Sequence, residues 1–487
     1  MVYQVHSIKY NYLLLGLLVL CGFTHIWNAV GFPAIFFDEG IYMRRAVNVL
    51  DGLGPQEGYY HDHPFFGQIF LASFLGLIGF PNYIHASTNP SSIATLYLAP
   101  RVLMGILAMA DAFLIYKIAE NFYGKKVALV SSMLFAVMPM TWLVRQVLLD
   151  SILLPFLLTS ILLAACSKNS NHKSLLVLFS GICLGLAIFT KVPAAAMFPL
   201  VLGLVYFNSG KKIWLVGLWL IPVIAIPLVW PLQSVDAGQF DLWVKDVLGQ
   251  TERHSYGLPY ISYLFLRMDP VLFILGIFGI SLCICRRDYF ILFWFIPFVI
   301  LLLAIGYNQY FYWIPVLPVF CISASVAITK ILQRAKVENI RKNLSIIVVL
   351  GIAMFGLAST MLIINTDMTS DQFQTASFVL RHVQDNDTTI LASPNYSWIF
   401  KDVFHRQNVF ADYTEVLYRP ITTPKVILVA DQHYVLVEMA KAKPLELLYH
   451  DSKTIATFAG NRYDFSLYPY TNLGVNYEEN PIEVKEK

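Results

Sequence analysis

A polytopic α-helical membrane protein carrying a small C-terminal soluble α/β domain is the fold class this sequence predicts. Three observations predict it. The chain of 487 residues is 57% hydrophobic and only 13% charged, whereas soluble domains carry about 25% charged residues. Its mean hydropathy is +0.61, and apolar runs close to the ~20 residues needed to cross a bilayer recur along it. After residue 366 the pattern changes to short alternating and amphipathic segments.

The first apolar run, 12–30, has no cleavage pattern and is long enough to stay as a signal anchor. Further spans are expected at 95–119, 126–144, 148–166, 174–190, 192–208, 212–230, 262–284, 288–305, 310–329 and 343–364, which makes about eleven in all. A shorter run, 64–80, begins at a proline. If it lies in the membrane plane, Lys117, Lys125, Lys126, Lys168, Lys173, Lys211, Lys212, Arg286, Arg287, Lys330, Arg334, Lys336, Arg341 and Lys342 all fall in cytoplasmic loops, the positive-inside arrangement. If it crosses, every later loop flips and these charges face outward. The first reading is preferred and makes 64–80 a surface-lying or re-entrant helix. A membrane domain then covers 1–365, with a first outer loop at 31–94 and another at 231–261.

The remainder, 366–487, reads as an extracytoplasmic α/β domain. DQFQTASFVLRHVQDNDTTILASPNYSWIF suggests helix then strand, and PKVILVADQHYVLVEMAKAKPLELLYH suggests strand, helix, strand. TIATFA and YDFSLY follow, and the tail YEENPIEVKEK is polar and expected to be loose. Sequons at Asn386-Asp-Thr388 and Asn395-Tyr-Ser397 permit glycosylation.

Some classes are excluded early. The net charge is +3 and no basic, aromatic-rich tract suits nucleic acid. Cys21, Cys166, Cys183, Cys283, Cys285 and Cys321 lie in or beside apolar segments. Their spacing fits neither a disulfide framework nor a zinc site, and such cysteines pack as small hydrophobes.

With this parity, ionisable side chains from distant positions gather at one rim: Asp38, Glu39, His63, Arg101, Arg145, Asp150 and Lys191, joined by the loop 231–261 and Tyr310. A lone charge in a bilayer costs about 2.5–3.5 kcal/mol, so a cluster of both signs implies mutual pairing around an anionic substrate or a wet cavity. Asp38 is the first candidate base. Its carboxyl, near pKa ~3.9, suffices where proton transfer comes late, as when a sugar leaves an anionic carrier. Asp38-Glu39 reads equally well as a cap for the helix 40–50. Arg101 and Lys191 are the cations suited to a phosphate, with snorkelling as the alternative for both, a weaker one for Lys191 because Val192-Pro193 follows in a tight turn and another apolar helix begins at once. Arg145 and Asp150 stand five apart and read either as site residues or as an ion pair. His63, His254 in Glu252-Arg253-His254, and Tyr310 in Asn308-Gln309-Tyr310 could line a sugar pocket. No cofactor is named by the sequence. Asp38, Glu39, Asp62 and His63 leave room for a divalent cation without a recognised ligand spacing.

These residues resemble a family. FDEGIYMRRA, HDHPFFGQ, APRVLMG, RQVLLDS, GLAIFTKVPA, ERHSYGLPYISYL and YFYWIPVLP occur in the order found in polyprenyl-phosphate-sugar-dependent glycosyltransferases of the GT-C fold, in the protein O-mannosyltransferase and aminoarabinose-transferase-like group. The resemblance covers most of the membrane region. It implies that Asp38 is the catalytic acidic residue of the first outer loop and Glu39 its partner, that Arg101 and Lys191 sit at the lipid phosphate, and that Asp150, the aspartate of the RxxLLD run, has a structural role. The residues themselves, apart from the resemblance, give Tyr42, His63, Arg101, Arg145, Asp150, Lys191, His254 and Tyr310 as the candidate substrate-binding set. The resemblance implies an inverting transfer from a dolichyl- or undecaprenyl-phosphate sugar to a hydroxyl of protein, lipid or glycan at the outer face of a plasma or ER-like membrane. One departure is plain: mannosyltransferases continue His-Pro-Pro-x-Gly-Lys, and this chain has His63-Pro64-Phe65-Phe66-Gly67-Gln68. The rival reading is a transporter or lipid-linked-sugar flippase. Such proteins show internal repeats and midplane sites, and no repeat is found here.

Overall fold

The computed structural model describes residues 2–56, 61–251, 257–305, 308–333, 338–383, 387–463 and 477–487. In chain order the helices of the apolar region are α1 (Val2–Ile26), α2 (Phe37–Leu50), α3 (Phe66–Leu77), α4 (Pro90–Tyr123), α5 (Lys125–Val137), α6 (Leu149–Cys166), α7 (Lys173–Thr190), α8 (Phe198–Asn208) and α9 (Ile213–Asp236). There follow α10 (Phe240–Thr251), α11 (Leu258–Met268), α12 (Pro270–Cys285), α13 (Tyr289–Ile305), α14 (Leu317–Leu332) and α15 (Glu338–Ile364). α14 and the turn before it are buried along their whole apolar window, so they form the centre of the bundle. α9 and α15 expose Ile221, Leu232, Ile347 and Met354 and form its apolar rim.

All the apolar runs of the sequence are helical, but they do not all make one uninterrupted span. Six helices among the described residues are long and apolar enough to cross a membrane, or up to eight if each bent pair is one span. Shorter apolar helices, Tyr10–Ile26, Phe66–Leu77 and Val192–Asn208, accompany them. The stretch 126–144 bends by 68° between α5 and Pro139–Arg145. The run 262–284 breaks at Asp269, whose carboxylate accepts from Leu272 N (2.9 Å) at the start of α12 and from Met140 N (3.2 Å). One carboxylate thereby serves two chain breaks.

α3 is the run whose fate decided the topology. Its 12 residues give a rise of about 18 Å, well short of the ~30 Å hydrocarbon layer. It packs against α2, α6 and α7. The basic turns sit together: Lys125 lies over the Tyr10 ring, Tyr123 donates to Asp288 (2.8 Å) across to the α12–α13 turn, and Asn208 donates to Ala164 O near the end of α6 (3.1 Å). α2 and the first turns of α4 and α6 lie at the opposite end of α4 from these turns.

The C-terminal region contains α16 (Ser370–His382), α17 (Pro394–Trp398), α18 (Gln432–Met439) and α19 (Lys443–Asp451). Its strands are β1 (Thr388–Leu391), β2 (Val409–Phe410), β3 (Lys425–Asp431), β4 (Lys453–Phe458), β5 (Asn461–Tyr463), β6 (Tyr477–Glu479) and β7 (Ile482–Glu486). The main sheet has the order β2-β1-β3-β7-β4, parallel from β2 to β3 and antiparallel on both sides of β7. Period-two alternation divides β3. Val426, Leu428 and Ala430 pack with Val435, Leu445 and Leu448 on one face. Ile427 and Val429 join Phe373, Val379 and the core of the membrane bundle on the other.

Three expectations are corrected here. The tail is not loose: Ile482 and Val484 are fully buried, and β7 pairs with both β3 and β4. PLELLYH is helix, because Pro444 suits the first turn of α19 and Leu445 and Leu448 fall on one helical face. The Asn395 sequon is buried and its amide oxygen accepts from Ser393, so it is closed to a glycan.

The sheet region meets α2 at Arg44, which donates to Ala411 O (3.1 Å). Beside it the Asp412 carboxyl is pushed up to about 6 by burial and then by Glu438, with Arg44 pulling the other way. A raised carboxyl pKa means that the folded state holds the proton more tightly than the unfolded chain. Stability is therefore expected to fall as pH rises from 3.8 to about 6 and to stay at the lower level above that, by at most about 3 kcal/mol. Melting temperatures across that window should show the decline, and Asp412→Asn should flatten it.

Candidate active site

α2 builds the centre of the site. Helical spacing sets Asp38, Tyr42 and Arg45 on one face, at i, i+4 and i+7. Glu39, Met43 and Ala46, all fully buried, occupy the face about 100° away. The adjacent carboxylates of the sequence thus point in different directions and have different surroundings.

Glu39 turns into the bundle. It accepts from Phe36 N (3.0 Å), closing the first turn of α2, from Val147 N (3.1 Å), and from Arg101 Nε and a terminal nitrogen (3.0 and 2.8 Å). Arg101 has five N–H groups, and all are engaged. Two go to Glu39, and the others reach the carbonyls of Ala29 (3.0 Å), Pro33 (2.7 Å) and Ala34 (3.4 Å). The guanidinium therefore has no hydrogen bond left for a phosphate.

Asp38 is half-buried on the other face. Its neighbour Tyr42 is almost wholly buried. Burial first, then the charges of Asp38, Asp62 and Asp150, push its phenol well above the usual range. The charges of three carboxylates from three chain segments are therefore felt at one hydroxyl. Two cations balance them. Arg45 meets Asp62 at 2.8 Å, with His63 Nε2 at 3.9 Å from the same carboxylate. Lys191 meets Asp150 at 2.5 Å.

The Asp150–Lys191 pair is set by two helix ends. Asp150 is in the first turn of α6, where a carboxylate suits the positive end of the helix. Lys191 sits just past α7 in extended backbone, before the Val192–Met197 turn that Pro193 helps to start. Its ammonium lies 4.0 Å from the centre of the Tyr312 ring and 5.2 Å from that of Phe311, a cation–π arrangement. One N–H serves Asp150. The others have no hydrogen-bond acceptor among the described residues. Unlike Arg101, Lys191 keeps donor capacity.

The other expected residues divide. Arg145 does not pair with Asp150. It donates to the carbonyls of Thr24 (3.1 Å) and Trp27 at the end of α1, where a cation offsets the helix dipole. Gln146 and Leu148 are extended, so 145 and 150 face different ways. Tyr310 packs edge-on against Phe311, and it is Phe311 and Tyr312 that cover Lys191. His254 lies outside the described residues. A divalent site is not assembled: among the described residues no group of three or more His, Cys, Asp and Glu could hold a metal ion, Glu39 is spent on Arg101, and Asp62 faces Arg45. Arg45 and Tyr312 were passed over in the sequence, although their signals were present. Arg45 is a charge on the same helical face as Asp38, and Tyr312 lies in the aromatic run YFYW.

Residues 62–233 match the family described as dolichyl-phosphate-mannose-protein mannosyltransferase. That stretch holds Arg45's partner Asp62, both members of the Asp150–Lys191 pair, and Arg101. The oligosaccharyltransferase of Archaeoglobus fulgidus in its apo form superimposes with a TM-score of 0.60 at 12% identity, over 97% of this chain and 74% of that one. ArnT from Cupriavidus metallidurans bound to undecaprenyl phosphate superimposes with a TM-score of 0.55 at 12% identity, over 98% of both chains.

The fold is that of the GT-C glycosyltransferases.

Both comparisons lead to this group of enzymes, and the GT-C likeness runs through the C-terminal sheet region as well as the bundle. A complex of the Archaeoglobus enzyme with an inhibitory peptide and a dolichol-phosphate is similar at a TM-score of 0.57 and 11% identity, over 98% of this chain and 74% of that one. No curated protein matches the sequence.

Proposed function

We propose that this GT-C protein transfers a sugar from a dolichyl- or undecaprenyl-phosphate donor to an acceptor hydroxyl of protein, lipid or glycan, by inverting displacement at the extracytoplasmic face. The observation that carries the reading is the placement of Asp38 on the face of α2 that bears Tyr42 and Arg45, with Arg45 paired to Asp62 and the buried Lys191 ammonium paired to Asp150. Asp38 takes the proton of the incoming hydroxyl. Lys191, with spare N–H groups, bonds the phosphate and stabilises it as it departs. Tyr42, His63 and Tyr312 border the sugar. The bound ligands of the similar enzymes, undecaprenyl phosphate and a dolichol-phosphate, support the donor class. The gathering of the basic turns at the far end of the bundle supports the sidedness.

Incubation with a panel of polyprenyl-phosphate sugars, followed by mass spectrometry of the products, tests the reading. Vectorial flux without any covalent product would replace it with transport. A second experiment tests Lys191. Lys191→Ala alone would strand the buried Asp150 carboxylate and harm the fold, so the double variant Lys191→Met with Asp150→Leu is the better choice. It should fold, and its affinity for undecaprenyl phosphate should drop about tenfold to a hundredfold, the worth of a charged hydrogen bond. Unaltered affinity removes Lys191 from the donor site.

A further inference from the structure

The chain just before Asp38 has no regular structure of its own. Residues 31–36 are turn, bend and irregular backbone, so their peptide groups need partners from elsewhere. On the bundle side these are Arg101 and Glu39. On the other side they come from the C-terminal region. The Gln372 side-chain amide, on α16, accepts from Ile35 N (2.9 Å) and donates to Ile35 O (3.1 Å), as a neighbouring strand would. The Tyr434 hydroxyl donates to the same carbonyl (3.1 Å), and its ring packs on Phe37 at 5.7 Å. One turn further, Gly40 is pressed against the Pro394–Asn395 peptide of α17. A Cβ there would collide with that backbone.

We propose that the C-terminal α/β region is a working part of the active site, and that Gln372 is a positioning residue which fixes the direction of the Asp38 carboxylate through Ile35. This rests on the reading of Asp38 as base. The physical argument is one of lever arms. Asp38 is the second residue of α2, so its carboxylate follows the entry backbone more closely than the helix body. Gln372 satisfies both peptide groups of Ile35, three residues upstream. With that amide removed, water replaces it and the entry segment gains freedom, while Glu39 and Arg101 still hold the rest of α2. A reacting group displaced by an ångström loses about a hundredfold in rate.

The test uses the full chain and the polyprenyl-phosphate sugar selected by the product panel. Gln372→Met keeps the volume and deletes both hydrogen bonds. It should lower kcat by tenfold or more, leave the affinity for undecaprenyl phosphate at the wild-type value, and speed amide hydrogen exchange at residues 35–39 and nowhere in the bundle. Gln372→Glu, which can still accept from Ile35 N, should recover part of kcat. Should Gln372→Met fail to fold, Tyr434→Phe removes a single hydroxyl from the same carbonyl and should show the same pattern in smaller measure. Wild-type kcat in Gln372→Met, or a raised KM with kcat intact, overturns the proposal. Asp38→Asn is measured in parallel. If Asp38→Asn is inactive and Gln372→Met is normal, the positioning role alone fails. If Asp38→Asn is fully active, the base assignment fails and takes this role with it.

Discussion

Asp38→Asn is expected to reduce sugar transfer by about 10²–10⁴-fold, the range supplied by a positioned general base, while leaving the protein folded and able to bind undecaprenyl phosphate. The substitution is close to isosteric and removes only the charge and the capacity to take a proton. The fold should tolerate it because Asp38 is half-buried and the anchoring of α2 belongs to its neighbour. Glu39, not Asp38, closes the first turn and holds Arg101. A drop in turnover with unchanged donor affinity is the signature of an interaction made in the transition state. Full activity in the variant would end the assignment. A matched fall in donor affinity would instead make Asp38 a binding group.

Arg101→Met should have the largest effect on stability. It leaves the Glu39 carboxylate buried with only two backbone donors, and it strips hydrogen bonds from the carbonyls of Ala29, Pro33 and Ala34. Breaking a buried pair by removing one partner costs about 3–5 kcal/mol, a large share of the ~5–15 kcal/mol that holds a typical domain together. The expected result is poor recovery from the membrane and a sharply lower melting temperature in detergent. The same experiment separates two roles. If Arg101 served mainly to grip the donor phosphate, the variant would melt normally and lose only affinity.

Much of this site was legible in the sequence, and the remainder was hidden for physical reasons. The acidic pair stood out because two adjacent carboxylates beside an apolar run are expensive without a purpose. The sequence left open whether they cap or catalyse, since composition does not show which face of a helix meets the bundle. In the structure Glu39 caps and anchors, while Asp38 lies on the face of α2 that carries Tyr42. Lys191 was conspicuous because Pro193 confines it to a tight turn between apolar helices. Of the two readings of Arg145 and Asp150, the ion pair fails because the backbone is extended at Gln146 and Leu148 and turns the two side chains apart, which their spacing alone does not show. In the C-terminal region the alternation of Ile482 and Val484 was masked by the glutamates and lysines around them. Those charged residues flank a strand whose buried positions are few but complete.

The place of β7 has a consequence for how the molecule is made. β3 and β4 come from one stretch of chain, yet they never touch; a strand translated after both separates them. While the ribosome is still at work, the two edges wait unpaired, with their N–H and C=O groups bare, and bare edges invite the wrong neighbour. The sheet closes only when residues 482–486 arrive. Because Ile35 leans on helices that pack against that sheet, the setting of the acidic helix near the start of the chain depends on a strand that is translated long after it.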